Sequence, residues 1–187
     1  VGLLYLMTGT LNLVDMAERL RAVEDVRPIL VALAFSTVGI GLKLALFPLH
    51  LWLPNAYAYA PSMATAFLAA TATKVSVYVL LRYYFTVFDP VPLFRGLPTE
   101  EVFVALSVAA MILASLVAVF ERDVKRLFAW SSVAQIGYIT LGIGVDNQSS
   151  LTCSIVHLLN HGVTKGAIFL LLGGVALRAA APALTLE

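Results

Sequence analysis

The sequence is poor in charge and in cysteine, and both shortages exclude classes of protein. Only 12% of the 187 residues are charged, whereas a soluble domain carries about 25%. The formal net charge of +1 provides no basic surface for phosphates, so we expect no nucleic-acid partner. The single cysteine, Cys153, excludes an intrachain disulfide and a Cys-x-x-Cys metal site. Without a Gly-x-Gly-x-x-Gly motif we expect no cofactor either.

Apolar residues, by contrast, dominate the chain. They make up 60% of it, and the mean hydropathy is +0.93. A membrane-spanning helix needs about 20 mostly apolar residues. Six stretches qualify, the first only in part: residues 1–14, 29–47, 62–88, 101–120, 127–145 and 151–177. We therefore predict an all-α, polytopic transmembrane helix bundle that forms a single domain over residues 1–187.

The connectors between these stretches give weaker signals. Residues 15–28 carry three arginines and four acids, and we expect them to lie at the membrane interface. Lysine and arginine number five near one set of loops and four near the other, so the membrane orientation stays open. Because Val1 lies inside an apolar run without a preceding Met, we expect residues 1–187 to be a piece of a longer protein.

Two lysines are expected deep within membrane-spanning stretches, where burying a charged side chain costs free energy. Lys74 and Lys165 are each 12 to 14 residues from both ends of their stretches, roughly 18–21 Å along a helix. A lysine side chain reaches only about 6 Å, so neither ammonium can snorkel to the headgroups. Each costs on the order of 2.5–3.5 kcal/mol on insertion scales and indicates a functional site. A static hydrogen-bond network between helices is the alternative.

Lys43 and the prolines that follow it indicate an interrupted helix. Lys43 precedes Pro48 by five residues, and Pro54 follows shortly after. Broken helices at membrane depth place backbone dipoles beside ions. Snorkelling of Lys43 to an interface is the alternative. We expect His50, between Pro48 and Trp52, to lie at the membrane interface.

The sixth stretch carries a row of ionisable side chains. His157, His161 and Lys165 recur at intervals of four residues, so they share one face of a helix over about 12 Å. Histidine titrates near neutral pH and exchanges protons at either ring nitrogen, so the row is a candidate proton wire. Zinc binding by the two histidines and a plain packing role are the alternatives. Without a third ligand on this helix we expect no metal.

The fifth stretch offers a neutral polar stripe, Ser131, Gln135 and Tyr138, at helical spacing. These groups could order water beside the proton wire. Small polar side chains that hold neighbouring helices together explain the stripe equally well.

Several motifs together resemble one family. They are GLKLALFPLHLWLPNA at residues 41–56, APS at 60–62, KVSVYVLLR at 74–82, DVKRLFAWSSVAQIGY at 123–138 and HGVTKGAIFL at 161–170. This combination resembles the antiporter-like proton-channel subunits of respiratory complex I, membrane-bound hydrogenases and Mrp cation/proton antiporters. Within the family, the run LLYLMTGTLN at residues 3–12 is most similar to the D-type subunit of the Mrp antiporters.

The resemblance implies an architecture and a role for each lysine. It implies two inverted five-helix repeats, each forming a half-channel, with residues 1–88 ending the first repeat and 99–187 beginning the second. Lys43 would match the lysine on the interrupted helix, and Lys74 the lysine that links the half-channels. His157, His161 and Lys165 would carry the second half-channel. The family's glutamate would precede residue 1, and its terminal lysine or glutamate would follow residue 187.

The function implied is movement of protons along a buried lysine and histidine relay. Low dielectric between these groups couples their titrations. The first interpretation is a subunit of a multisubunit sodium/proton antiporter, and the alternative is a proton-pumping subunit of a redox complex. Under either, this chain does no redox chemistry itself. We expect other membrane subunits, the lipid bilayer, protons and sodium as partners, and a bacterial or archaeal plasma membrane as the location. A structural membrane scaffold is the third interpretation.

Overall fold

The computed structural model describes residues 1–23, 25–88 and 97–179, and every regular element in these ranges is a helix. The helices are α1 (Gly2–Thr8), α2 (Leu13–Leu20), α3 (Arg27–Leu44), α4 (Trp52–Tyr59), α5 (Ser62–Arg82), α6 (Thr99–Phe120), α7 (Val124–Gly144) and α8 (Gln148–Ala179). A π-helical turn, Tyr83–Phe88, continues α5. The prediction of an all-α chain is confirmed.

Five of the described helical segments are long and apolar enough to cross a membrane. They are Arg27–Leu44, Ser62–Phe88, Thr99–Phe120, Val124–Gly144 and Gln148–Arg178. The predicted polytopic membrane bundle is thereby confirmed. The first apolar stretch behaves differently, because α1 ends at Gly9, whose φ of 68° is left-handed. Asn12 then caps α2 by accepting a hydrogen bond from the Val14 amide, so residues 1–14 are not one helix.

The helical structure is interrupted between α3 and α4. We predicted an apolar stretch running to Phe47, but α3 ends at Leu44, because Ala45 takes a left-handed φ of 60°. Pro48 lies in the turn that follows, after a cis peptide bond. Pro54 is in the first turn of α4, where its missing N–H has no helical partner to lose. The predicted interrupted helix is present, and Pro48 rather than Pro54 lies in the break.

Residues 1–41 and 76–98 form one compact unit. In it the Arg19 guanidinium pairs with the Asp15 carboxylate at 2.9 Å and donates to the Thr8 carbonyl at 3.0 Å, which joins α2 to α1. The Thr37 and Tyr84 hydroxyls are 2.8 Å apart. Helix α2 buries its apolar face and exposes its charged one. The interfacial position of α2 stays a prediction. The repeat boundaries at residues 88 and 99 also stay predictions, and residues 89–96 between them lie outside the described residues.

Residues 42–75 and 99 onward form the second unit, and α7 lies at its centre. Helix α7 packs against α4, α6 and α8 and is the most buried of the five spans. The hydroxyls of Ser107 on α6 and Thr140 on α7 are 2.7 Å apart. On the other side, the Ser154 hydroxyl of α8 donates to the Ile139 carbonyl at 3.1 Å. These buried polar contacts fix the positions of α6 and α8 along α7.

Helices α7 and α8 each begin three residues earlier than we predicted, because the polar turns before them supply caps. The Asp123 carboxylate accepts from the Arg126 amide at 2.9 Å. The Asn147 side chain accepts from the Ser150 amide at 2.7 Å. Each side chain satisfies one of the backbone donors that a helix start leaves without a partner.

Candidate functional site

The Lys165 side chain of α8 is buried between helices of the second unit, with 4% of its surface exposed. Its ammonium donates to the Phe128 carbonyl of α7 at 2.9 Å and to the Ser131 hydroxyl at 3.1 Å. It also lies 5.3 Å from the centroid of the Phe128 ring, a cation–π distance. Within the described ranges no carboxylate comes within ion-pair distance of this ammonium. In the part of the chain that the structure describes, this buried cation is therefore held by neutral groups.

Ser131 gives this arrangement its chemical versatility. A serine hydroxyl accepts a hydrogen bond from an ammonium and donates one to a neutral amine, since the hydroxyl proton rotates to suit its partner. The contact at 3.1 Å thus serves Lys165 in both protonation states. A carboxylate would instead favour the charged form strongly through its opposite charge. The neutral partners permit release and recapture of a proton at one place.

Lys74, on α5, is the second lysine of the site. It is half-buried, and its ammonium donates to the Ala69 carbonyl at 2.5 Å and to the Thr73 hydroxyl at 3.2 Å. The charges of Lys74 and Lys165 lie within electrostatic range of each other. Two cations that share a site of low dielectric repel each other, so the charge of either one affects the other.

Gly162 lets α8 approach α5 at this position. A Cβ atom at Gly162 would come 3.1 Å from the Ala70 carbonyl oxygen and 3.7 Å from Cε of Lys74. A Cβ at Gly166, one turn later, would come 3.2 Å from Cβ of Ala70. Small residues at this spacing allow close packing of helices in membranes. The close approach brings Lys74 beside the face of α8 that carries the histidines.

His157 and His161 stack on each other along α8, with ring centroids 6.1 Å apart and planes 6° from parallel. His161 is buried, at 5% exposure, and both of its ring nitrogens lack a hydrogen-bond partner among the described residues. Nε2 of His157 is likewise buried without a hydrogen-bond partner among the described residues. Buried polar atoms almost always have a partner, protein or water, so these nitrogens favour water beside the row.

A cleft of about 270 Å³ lies along this face and has room for such water. One water molecule occupies about 30 Å³ in the liquid. The cleft wall includes five residues that the sequence analysis singled out and two that it missed. These are Ser131, Gln135, His157, His161 and Lys165, and then Asn160 and Thr164. The missed pair follows each histidine by three residues, a helical spacing that could have revealed them.

The remaining candidates are not part of this cleft. Tyr138 is 53% exposed, and its ring lies 6.3 Å from that of His157. Lys43 is exposed on the last turn of α3 and forms no hydrogen bond or ion pair with the residues described. A cation at this end of a helix is favoured by the helix dipole. The geometry thus brings Lys74, Lys165 and the histidines together, while Lys43 stays apart.

His50 is buried in the turn between α3 and α4. Its side chain is 6% exposed because two aromatic rings cover it. It stacks on Phe47 at a centroid distance of 5.1 Å and meets the edge of Trp130, on α7, at 5.3 Å. The interfacial position of His50 concerns its depth in the membrane and stays a prediction.

Fold and site define a polytopic helical membrane protein with ionisable side chains packed between its helices. Residues 1–183 match the family described as "NADH:quinone oxidoreductase/Mrp antiporter, TM". The chain belongs to this family, and the resemblance derived from the motifs is confirmed. It is an integral membrane chain.

Relatives come from both branches of the family. The chain is 44% identical over 179 residues to NADH-quinone oxidoreductase subunit N of Desulforudis audaxviator, covering 94% of this chain and 35% of that protein. It is 34% identical over 175 residues to the putative antiporter subunit mnhD2 of Staphylococcus saprophyticus, covering 94% and 34%. The chain therefore spans about a third of the length of these relatives.

A solved structure shares the fold. It is the membrane-bound sulfane sulfur reductase, an archaeal respiratory membrane complex, with a TM-score of 0.85 and 30% identity. The match covers 94% of this chain and 35% of the chain compared.

Proposed function

We propose that this chain is part of a proton-translocating subunit, in which protons move along Lys74, Lys165, His161 and His157. The observation that carries the proposal is Lys165, a buried lysine that borders the same cleft as the histidines and whose hydrogen-bond partners among the described residues are neutral groups of α7. An intramembrane ionisable residue without a counter-charge is a functional candidate by default. Membership of the family gives the proposal independent support.

The mechanism follows from electrostatic coupling. A proton that arrives on Lys74 increases the positive potential at Lys165, because the two charges lie within range of each other. Lys165 then releases its proton, and Ser131 turns its hydroxyl to donate to the neutral amine. The two histidine rings, with centroids 6.1 Å apart, are not joined by a direct hydrogen bond, because both nitrogens of His161 lack a partner among the described residues. A water in the adjoining cleft would bridge them, and each ring passes the proton between its two nitrogens.

The proposal also concerns the kind of complex in which this relay works, for which there are two candidates. The first candidate is a multisubunit sodium/proton antiporter, supported by the antiporter-subunit relative and by the motif at residues 3–12. The second is a redox-driven proton pump, favoured by the higher identity to the NADH-quinone oxidoreductase relative, 44% against 34%. In either case other membrane subunits would be partners, and the location would be a bacterial or archaeal plasma membrane.

The test is proton movement in inverted membrane vesicles that carry the full-length protein with its partner subunits. The vesicles receive a sodium pulse and, separately, NADH, and a fluorescent dye reports internal pH. Lys165→Ala removes the proton-binding group, while Lys165→Arg keeps a positive charge that cannot be released in the accessible pH range. Lys125→Gln, which removes a lysine at the start of α7 outside the cleft, is the matched control.

We expect both Lys165 variants to lose proton movement and the control to retain it. Retained transport in Lys165→Arg would mean that Lys165 supplies only charge, and retained transport in Lys165→Ala would remove it from the path. A response to sodium identifies the antiporter, and a response to NADH alone identifies the redox pump.

A further inference from the structure

A larger cleft lies beside the C-terminal turns of α8 and shares no residue with the cleft beside the histidines. Its volume is about 790 Å³, within the roughly 300–1,000 Å³ that is typical of ligand sites. One wall is formed by residues 170–177 of α8, and the other by the end of α4 and the start of α5. Lys125, at the start of α7, completes the lining. We refer to this space as the α5–α8 cleft.

The walls of the α5–α8 cleft are mostly apolar. Met63, Leu170 and Leu177 line it and are exposed. A Cβ atom at Gly174 would meet nothing within 4 Å, so in the part of the chain that the structure describes no neighbouring helix packs against this point of α8. Tyr59 stands beside these residues and is also exposed, as aromatic side chains are at membrane interfaces. In a membrane protein such a wall suits an acyl chain.

Of the described residues that line the α5–α8 cleft, Lys125 alone carries a charge. Its side chain is half-buried, and its ammonium donates to the Ala60 carbonyl at 3.3 Å. An ammonium has three N–H donors, and within the described ranges no carboxylate lies at ion-pair distance from this one. Two donors and a positive charge are therefore available to an anion in the cleft.

The same end of the second unit carries an excess of positive charge. Four basic side chains and two acidic ones lie there, whereas three acids lie at the opposite end and no basic residue accompanies them in the described segments. The basic residues are Arg122, Lys125, Arg126 and Arg178, the acids beside them are Glu121 and Asp123, and the acids of the opposite end are Glu100, Glu101 and Asp146. Basic pockets between transmembrane helices are the arrangement that binds anionic lipid headgroups.

We propose that the α5–α8 cleft binds an anionic phospholipid, with the phosphate on Lys125 and an acyl chain along the apolar wall of α8. The phosphodiester supplies the negative charge that the ammonium needs, and the acyl chain covers the exposed side chains of Leu170 and Leu177. An apolar protein segment in the same place would leave the ammonium without a counter-charge, which is unfavourable.

The lipid site and the proton relay are separate properties of the chain, because the two clefts have no residue in common. Loss of the lipid in Lys125→Gln is therefore compatible with normal proton movement in the same variant. Failure of the relay proposal would leave the lipid site in place.

The test is photo-crosslinking of lipids to the full-length protein with its partner subunits, reconstituted in phosphatidylcholine vesicles. The vesicles contain a trace of a phospholipid with a photoreactive acyl chain and either a phosphatidylglycerol or a phosphatidylcholine headgroup. Trypsin cleaves after Lys165 and Arg178, so mass spectrometry reads the labelling of the cleft wall on peptide 166–178. Peptide 127–165, which includes the exposed first half of the same helix, is the reference for contact with bulk lipid.

Three variants alter the site, and one is a matched control. Lys125→Gln removes the positive charge, and Lys125→Arg keeps it. Gly174→Leu places a side chain in the cleft at the point where a Cβ meets nothing. Arg122→Gln is the control, because it removes one positive charge from the same turn at an exposed position outside the cleft.

We expect the phosphatidylglycerol probe to label peptide 166–178 about fivefold more than the phosphatidylcholine probe, each relative to peptide 127–165. One lysine attracts an anionic lipid by ~1 kcal/mol, which corresponds to about this factor. The preference should fall to about one in Lys125→Gln and in Gly174→Leu. It should persist in Lys125→Arg and in Arg122→Gln.

Four outcomes would overturn the proposal. Equal labelling of peptide 166–178 by the two probes in the unchanged protein would mean that no anionic lipid is selected. An equal loss of preference in Lys125→Gln and Arg122→Gln would mean diffuse attraction to a basic membrane face. An unchanged preference in Gly174→Leu would place the lipid outside the cleft. Labelling of peptide 127–165 without any on peptide 166–178 would mean that another segment of the full-length protein or a partner subunit covers the cleft.

Discussion

Replacement of Gly142 by alanine is the change whose consequence the structure defines most sharply. Gly142 lies on α7 where α8 crosses it, and a Cβ atom there would overlap the Ser154 hydroxyl. It would also come 2.8 Å from the backbone oxygen of Ser150. The hydroxyl can rotate away if it gives up its 3.1 Å hydrogen bond to the Ile139 carbonyl. The Ser150 oxygen belongs to the helix backbone and cannot rotate, so α8 must move.

Three effects contribute to the expected loss of stability. Overpacking in a dense interior costs about 1–3 kcal/mol, and the lost hydrogen bond a further ~0.5–1.5 kcal/mol. In the opposite direction, the higher helix propensity of alanine stabilises the helix by up to ~1 kcal/mol relative to glycine. Gly174→Ala is the matched control, because nothing lies within 4 Å of a Cβ at that position of α8. We expect Gly142→Ala to be less stable than Gly174→Ala by about 2–4 kcal/mol.

The assay is unfolding of the full-length protein in mixed detergent micelles of increasing SDS content, followed by circular dichroism. Ser154→Ala, measured alongside, gives the contribution of the hydroxyl alone. If Gly142→Ala proves as stable as Gly174→Ala, the close approach of α7 and α8 is wrong. The alignment of Lys165 with Ser131, which depends on that approach, would then lose its basis.

Three further predictions use the same preparation. Thr140→Val should destabilise the protein by about 1–3 kcal/mol, because the buried Ser107 hydroxyl loses its partner at 2.7 Å; adding Ser107→Ala should recover part of the loss, and a purely additive pair would contradict the contact. Asp123→Ala should cost about 1 kcal/mol in the SDS titration, since the cap of α7 is lost, and Asp123→Asn should retain most of the stability. The hydrogen bond from Arg19 lowers the pKa of Asp15, so Arg19→Ala should raise that pKa toward its ordinary value in an NMR titration. The stabilisation by this pair is present above the ordinary pKa of the carboxyl and is lost as the pH falls through the lowered one; an unchanged titration would contradict the pairing.

The membrane helices followed from the sequence because their main requirement is local. A span depends on the length and apolarity of its own stretch, and all five spans fall on stretches predicted from composition. The helix ends were less accurate. Asp123 and Asn147 act as caps, but composition alone does not distinguish a capping residue from any other polar residue of a loop. Ala45 ends α3 with a left-handed φ, a conformation for which its residue type gives no signal.

Some features of the candidate site also followed from the sequence, while others depend on the packing of the helices. That His157, His161 and Lys165 share one face could be read from the sequence, because the period of the α-helix fixes the face whatever the helix packs against. The membrane depth of Lys74 and Lys165 is a prediction of the same local kind, because it follows from position within a span.

What those side chains meet depends on how the helices pack. Packing placed the Phe128 carbonyl and the Ser131 hydroxyl on Lys165, brought Lys74 against Gly162 and buried His50 under Trp130. Each is a contact between helices distant in sequence, and many pairings of apolar helices satisfy the same composition. The choice among them depends on interlocking small residues and on hydrogen bonds between helices, which exist only once the helices have packed.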